Sequence, residues 1–172
     1  MRNEEGVFQM KLILKEVLLT EKLILKNLFS LYLHDLSKFT SQIELGVDGS
    51  FEYEELEAFW EIDGLSPYFI LIDENIIGFI LLVERPFLKK DFDFGVNDLF
   101  ILNNYKGQGL GSKAVKKLFQ VKKGKYFVIE LLENRPAVLF WKRIYIELNI
   151  QFEEKQDVVD DEHCLIQSFV IK

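Results

Sequence analysis

The chain has 172 residues, 49% of them apolar, and 21 basic against 28 acidic side chains, a formal net charge of −7. That composition suits one packed domain over residues 1–172 and excludes a disordered chain, which needs low hydrophobicity. It also excludes a general nucleic-acid binder, whose surface must be basic, and biases the protein toward cationic partners.

Taken in chain order, Lys11–Val17 reads as a first strand. Thr20 can cap a following helix in which Leu25, Leu28, Phe29, Tyr32 and Leu36 recur at helical spacing. Residues 37–50 are polar and read as a loop, and Tyr53–Trp60 reads as a short acidic helix closed off by Pro67. Tyr68–Ile72, the turn Asp73-Glu74-Asn75 and Ile76–Val83 form a hairpin. Phe92–Leu102 is a further strand. Gly107–Gly111 is a tight turn, and beyond it Ala114, Val115, Leu118 and Phe119 make a helical stripe. Tyr126–Leu132 is nearly continuously apolar, the pattern of a strand buried on both faces. Asn134 is a good N-cap with Pro136 in the first turn, and Ala137, Phe140, Trp141 and Ile144 line one helix face. Segments around Ile150–Lys155 and Cys164–Ile171 read as a closing strand pair. The predicted order is β-α-α-β-β-β-α-β-α-β-β, a mixed α/β (α+β) domain.

Cys164 is the lone cysteine, so no intrachain disulfide can form and a reducing, cytoplasmic setting is expected. His34 and His163 are far apart and show no ligand spacing, so no metal is expected. No apolar run reaches 18 residues, so no membrane span is expected. Met1–Gly6 carries two acids and does not read as a signal peptide.

Strand, then Lys106-Gly107-Gln108-Gly109-Leu110-Gly111-Ser112, then helix is an anion-binding arrangement. Glycines let the backbone turn and approach a ligand, and the helix start offers free N–H groups and the positive end of its dipole. Lys106, Lys113, Lys116 and Lys117 add local positive charge. A connection without a ligand is the plainer alternative. Gly109-x-Gly111-x-x-Ala114 also matches a dinucleotide fingerprint, with Glu130 near the expected ribose acid. Against that stand the antiparallel hairpin before the turn and the roughly 60 residues after it, too few for the usual six-stranded nucleotide fold. A Walker A loop is absent.

Lys106-x-x-Gly109-x-Gly111 resembles the pyrophosphate motif R/Q-x-x-G-x-G/A of the GNAT superfamily of acetyl-CoA-dependent N-acetyltransferases. Asn134-Arg135-Pro136-Ala137-Val138-Leu139-Phe140-Trp141 is similar to that superfamily's N-x-x-A-x-x-F-Y segment. The resemblance implies a central, mixed, mostly antiparallel sheet flanked by helices, acetyl-CoA as acyl donor, and transfer to a primary amine of a small molecule or peptide. It implies that the main chain of Phe100, Ile101 and Leu102 pairs with the pantetheine arm. Gln108, Gly109, Leu110, Gly111 and Ser112, with Lys106 and Gly107, would hold the pyrophosphate. Asn134 would touch the pantetheine arm, and Phe140 and Trp141 would wall the acyl end, with plain helix core as the alternative for both aromatics. A symmetric homodimer is a further expectation for a domain of this kind.

The implied reaction needs a base for the amine and an acid for the leaving thiolate. Trp141 stands where the superfamily commonly has a tyrosine acid. Tyr145, one turn on, is therefore the expected acid. Asp98 is the expected base, ahead of Glu130 and Glu84. The acceptor side is expected around Tyr32, His34, Asp35, Phe39, Phe51, Tyr53 and Trp60, whose acids and rings suit a cation. The tryptophan leaves open a second reading, a CoA- or nucleotide-binding module without turnover.

Overall fold

The computed structural model describes residues 10–51 and 53–172; the expectation about Met1–Gly6 lies outside them. One seven-stranded sheet runs in the order β1-β2-β3-β4-β5-β7-β6. Its strands are β1 Leu12–Glu16, β2 Leu65–Ile72, β3 Asn75–Glu84, β4 Phe94–Ile101, β5 Gly124–Leu131, β6 Phe152–Val159 and β7 Glu162–Ile171. All neighbours are antiparallel except β4 and β5.

Side chains alternate across each strand, and the two faces of the sheet build two cores. On one face Ile70, Ile80, Leu82, Val96, Tyr126 and Val128 meet helices α2 (Leu110–Val121) and α3 (Arg135–Glu147). On the other, Phe69, Leu71, Phe79, Leu81 and Phe100 meet α1 (Lys22–Leu36) through Leu25, Phe29 and Leu33. The result is a three-layer domain with the sheet in the middle. The longest helix has 15 residues, and among the described residues none is long and apolar enough to cross a membrane.

The predicted element order holds, with three local corrections. The short acidic helix forms as a 3-10 segment, Glu54–Trp60. Pro67 lies inside β2 and does not end a segment. Its carbonyl accepts from Val17 N, so a donor on Pro67 would have pointed the same way, beyond the last β1–β2 pair. No bond to β3 is lost, which is how a proline is tolerated here. The third correction concerns the strand expected to be buried on both faces. Residues 77–83 of β3 are the continuously buried run, whereas β5 alternates. Tyr126, Val128 and Glu130 face α2 and α3, while Lys125 and Ile129 stay exposed because the α1 layer does not extend over β5. An apolar run was read as two-sided burial although one face is only partly covered, by the Phe92 ring on Phe127.

Two features of the local sequence set the elements. Asp73 and Glu74 both have positive φ, 46° and 72°, between the paired residues Ile72 and Asn75. This two-residue loop matches the twist of the strands it joins. Asn134 caps α3 by accepting from Ala137 N at 3.2 Å. Asn134→Ala is expected to lower stability by about 1 kcal/mol, read as a lower urea midpoint with an unchanged slope.

Candidate active site

The parallel ladder between β4 and β5 is only three pairs long: Phe94 with Tyr126, Gly95 with Phe127 and Val96 with Val128. Past Val96 the two strands part. Residues 98–101 of β4 pair with β3 alone, so their edge toward β5 lacks strand partners. At the parting point β4 carries a bulge. Leu81 opposes Asp98 and Leu82 opposes Val96, which leaves Asn97 as the extra residue. A bulge of this kind frees main-chain groups and re-aims side chains.

The wide end of this opening meets the glycine turn. Gly107 and Gly109 have φ of 76° and 73°, a conformation that costs any other residue about 1–2 kcal/mol. Gly109 is the N-cap of α2, so the helix starts with its N–H groups unshielded by side chains. A Cβ on Gly111 would lie 3.2 Å from the Phe140 ring and 3.6 Å from Ile101. Phe140 on α3, the turn and the end of β4 therefore converge on one place. Lys11, Lys113, Lys116 and Lys117 line a depression beside α2. Lys106 turns elsewhere: its ammonium bonds Asp35 at 2.7 Å and lies over the Phe100 ring.

On the α1 face the bulge brings Asp98 together with Tyr32 and Tyr53. Asn97 Nδ2 donates to Asp98 Oδ2 at 2.6 Å. Burial of the Asp98 carboxyl raises its pKa, against the pull of hydrogen bonds from Asn97 and Tyr32, and Glu55 adds to the rise. Tyr32 is pushed well up by burial and by Asp98, and Tyr53 is pushed up by burial, Asp98, Glu55 and Asp160. Of the residues expected on the acceptor side, Tyr32 and Tyr53 thus join Asp98, and Asp35 lies one ion pair away. Trp60 is drawn off instead, with Nε1 donating to Val17 O and Lys22 over its ring. His34 accepts at its carbonyl from Ser37 Oγ, Lys38 lies over the Phe39 ring, and Phe51 bridges Leu45 while packing on the α1-side core. No spacing signal marks Asn97, Glu55 or Asp160 for this cluster: the bulge brings Asn97, the 3-10 segment carries Glu55 beside Tyr53, and the last hairpin returns Asp160.

The α3 face holds the other candidates. Trp141 is 4% exposed and packed in the core. Tyr145 is 1% exposed and its hydroxyl donates to Gln167 Oε1 at 2.8 Å. Gln167 Nε2 donates onward to Glu154 at 2.8 Å, and Lys142 bonds the same carboxylate. Beside this chain lies Glu130, 6% exposed, with neither carboxyl oxygen hydrogen-bonded. Desolvation, and then the charge of Glu154, push its pKa up to about 7 against the pull of Lys142. Glu84, the remaining candidate base, is engaged by Ser66 Oγ and Lys122 Nζ near the start of β4.

A model of the acetyltransferase (GNAT) family matches residues 28–145, more than half of the chain. The chain belongs to the GNAT acetyltransferase family and is an acyltransferase. Solved structures agree on the fold. An acetyltransferase from Thermus thermophilus superposes with a TM-score of 0.66 at 12% identity, over 92% of this chain and 96% of that one. An aminoglycoside acetyltransferase in complex with coenzyme A gives 0.64 at 13%, over 93% and 95%. The ribosomal-protein-S18-alanine N-acetyltransferase of Escherichia coli gives 0.56 at 10%, over 94% and 95%. No curated protein sequence matches the chain.

The raised pKa of Glu130 has a thermodynamic signature. A carboxyl whose folded pKa lies above its unfolded one favours folding below the unfolded value, 4.5, and loses that contribution as pH rises through about 7. Glu130→Gln is therefore expected to gain stability over the wild type between pH 5 and pH 8, by up to roughly 3 kcal/mol. Thermal midpoints of both proteins across that range read it.

Proposed function

We propose that the protein transfers an acetyl group from acetyl-CoA to a primary amine of a small molecule or peptide, by direct attack. The observation that carries this reading is the opening between β4 and β5, bounded at its wide end by the glycine turn and at its narrow end by the Asp98 bulge. The residues present fit such a donor. Along Phe100, Ile101 and Leu102 the side of the β4 edge turned away from β3 offers main-chain groups to the pantetheine amides in the manner of an added strand, while the N–H of Leu102 itself donates to Ile77 O of β3. N–H groups from Gln108 to Ser112 offer a pyrophosphate site at a helix start. Phe140 and Trp141 supply apolar wall, and Asn134 stands at the end of β5.

On the α1 face, Asp98 is the proposed base. The amine nitrogen attacks the thioester carbon, the C–N bond forms, and the nitrogen's proton passes to Asp98. The proposed oxyanion donors are main-chain N–H groups at the Asn97 bulge. The C–S bond then breaks and the thiolate requires a proton. Tyr32, Tyr53, Glu55 and Asp160 surround the base with rings and negative charge, which favours a cationic acceptor. The buried free thiol of Cys164 suits a reducing compartment, the cytoplasm.

Thermal unfolding with acetyl-CoA, NAD and ATP tests the donor. At a hundredfold excess over its dissociation constant, acetyl-CoA is expected to add about 2.7 kcal/mol. Stabilisation by NAD or ATP in its place overturns the reading. For the base, the sign is set by the need for ionised Asp98: wild-type kcat/KM falls as pH falls through its raised pKa. Asp98→Asn is expected to cost about 100-fold or more in kcat and to remove that acidic limb, measured as free thiol released in the presence of amine.

A further inference from the structure

We infer that Glu130 is the general acid of this enzyme, delivering the proton to the departing coenzyme A thiolate. This rests on the acetyl-CoA reading above. Three structural facts support it. First, Glu130 lies on β5 two residues beyond Val128, the last residue paired with β4. It therefore stands where the strands have parted. Second, it alternates with Tyr126 and Val128, both packed against α2 and α3, so its side chain belongs to the face on which the glycine turn opens. The base, Asp98, contacts Tyr32 of α1 and so belongs to the opposite face. A base on one face and an acid on the other, flanking the same parting of the strands, keeps the proton taken from nitrogen apart from the proton given to sulfur.

Third, the carboxyl is held in reserve. Both oxygens are buried and unpartnered, an arrangement that costs stability whenever the group is ionised and that folding alone gives no reason to keep. Its neighbours on the page are Glu154 of β6 and Lys142 and Tyr145 of α3. Glu154 repels a second negative charge and keeps Glu130 protonated near neutrality, while Lys142 works against it. The phenol and the indole on α3 are less suited to the role: Tyr145 spends its hydroxyl on Gln167, and Trp141 carries no transferable proton at these pH values.

The proton balance closes. Glu130 gives its proton to sulfur as the C–S bond breaks and becomes a carboxylate, while Asp98 holds the proton from the amine. Each is reset by proton exchange with solvent between turnovers, and Glu154 and Lys142, the charged groups that act on Glu130, reach the surface.

The test uses full-length wild type, Glu130→Gln and Glu130→Leu, each measured for acetyl-CoA stabilisation and for kcat against pH. The wild type is expected to lose kcat as pH rises through about 7. Both variants should fold and retain the acetyl-CoA shift, with kcat down roughly 100-fold, the low end for a positioned acid, and the alkaline limb gone. Asp98→Asn should keep that limb. If Glu130→Gln retains kcat within about twofold with the limb in place, Glu130 is not the acid. If the variants lose the acetyl-CoA shift along with the rate, the residue is structural and the proposal also falls. If the wild type itself is not stabilised by acetyl-CoA, the donor reading fails first and this inference with it. Should Glu130→Gln fail to fold, Glu130→Leu decides, since an apolar side chain suits the same buried position.

Discussion

Everything at the centre of this molecule depends on a ladder that stops early. Three pairs of residues join β4 to β5, and then the sheet opens. A continuous sheet would satisfy more main-chain groups, and buried strands rarely leave theirs unpaired. The bulge at Asn97 turns β4 away at that level, and the β4 edge is left available to a ligand. Both sides of the opening are held by one core on the α2 and α3 face, which joins β2 to β4 with β5 and β7, while α1 covers β2 to β4 on the other face.

The same parting explains why the two candidate proton carriers differ so much in surroundings. Asp98 sits among tyrosines and an amide, with hydrogen bonds that partly offset its burial. Glu130 has no such bonds and is governed by desolvation and by a neighbouring carboxylate. Both carboxyls are raised by burial, Asp98 against the pull of its hydrogen bonds and Glu130 with the added push of Glu154, so each answers to different neighbours on its own face of the sheet.

Much of the fold was legible in the sequence because its signals are local. The Asp73-Glu74 turn, the Asn134 cap and the glycines before α2 each encode their own conformation within a few residues. The α3 stripe was half right. Trp141 and Ile144 are core, but Val138 and Tyr145 complete the buried face while Ala137 and Phe140 lie at its margin. The site was less legible. Position Asp98 could be proposed from its strand, but Asn97 gains a role only from a bulge, which depends on pairing with β3 and leaves no mark in composition. Glu130 drew notice as a possible ribose acid and as a base candidate behind Asp98, while its lack of partners became visible only once α3 and β7 were packed against it. Lys106 shows the reverse. Its place in the motif suggested phosphate, yet its side chain reaches across to Asp35, a pairing 71 residues distant that no spacing rule contains.

The last hairpin carries a consequence of its own. At its tip Asp160 acts on Tyr53, and Glu162 meets Thr40 in the loop after α1. The proposed acceptor side is thus bordered by residues outside the stretch that the family model matches. On the proposed reading, chemistry and recognition are drawn from different parts of the chain: the donor-side framework from the matched middle, and part of the acceptor side from the hairpin beyond it. A lineage could exchange that hairpin and redirect the enzyme to a new amine while the strands that hold the reacting bond stay as they are.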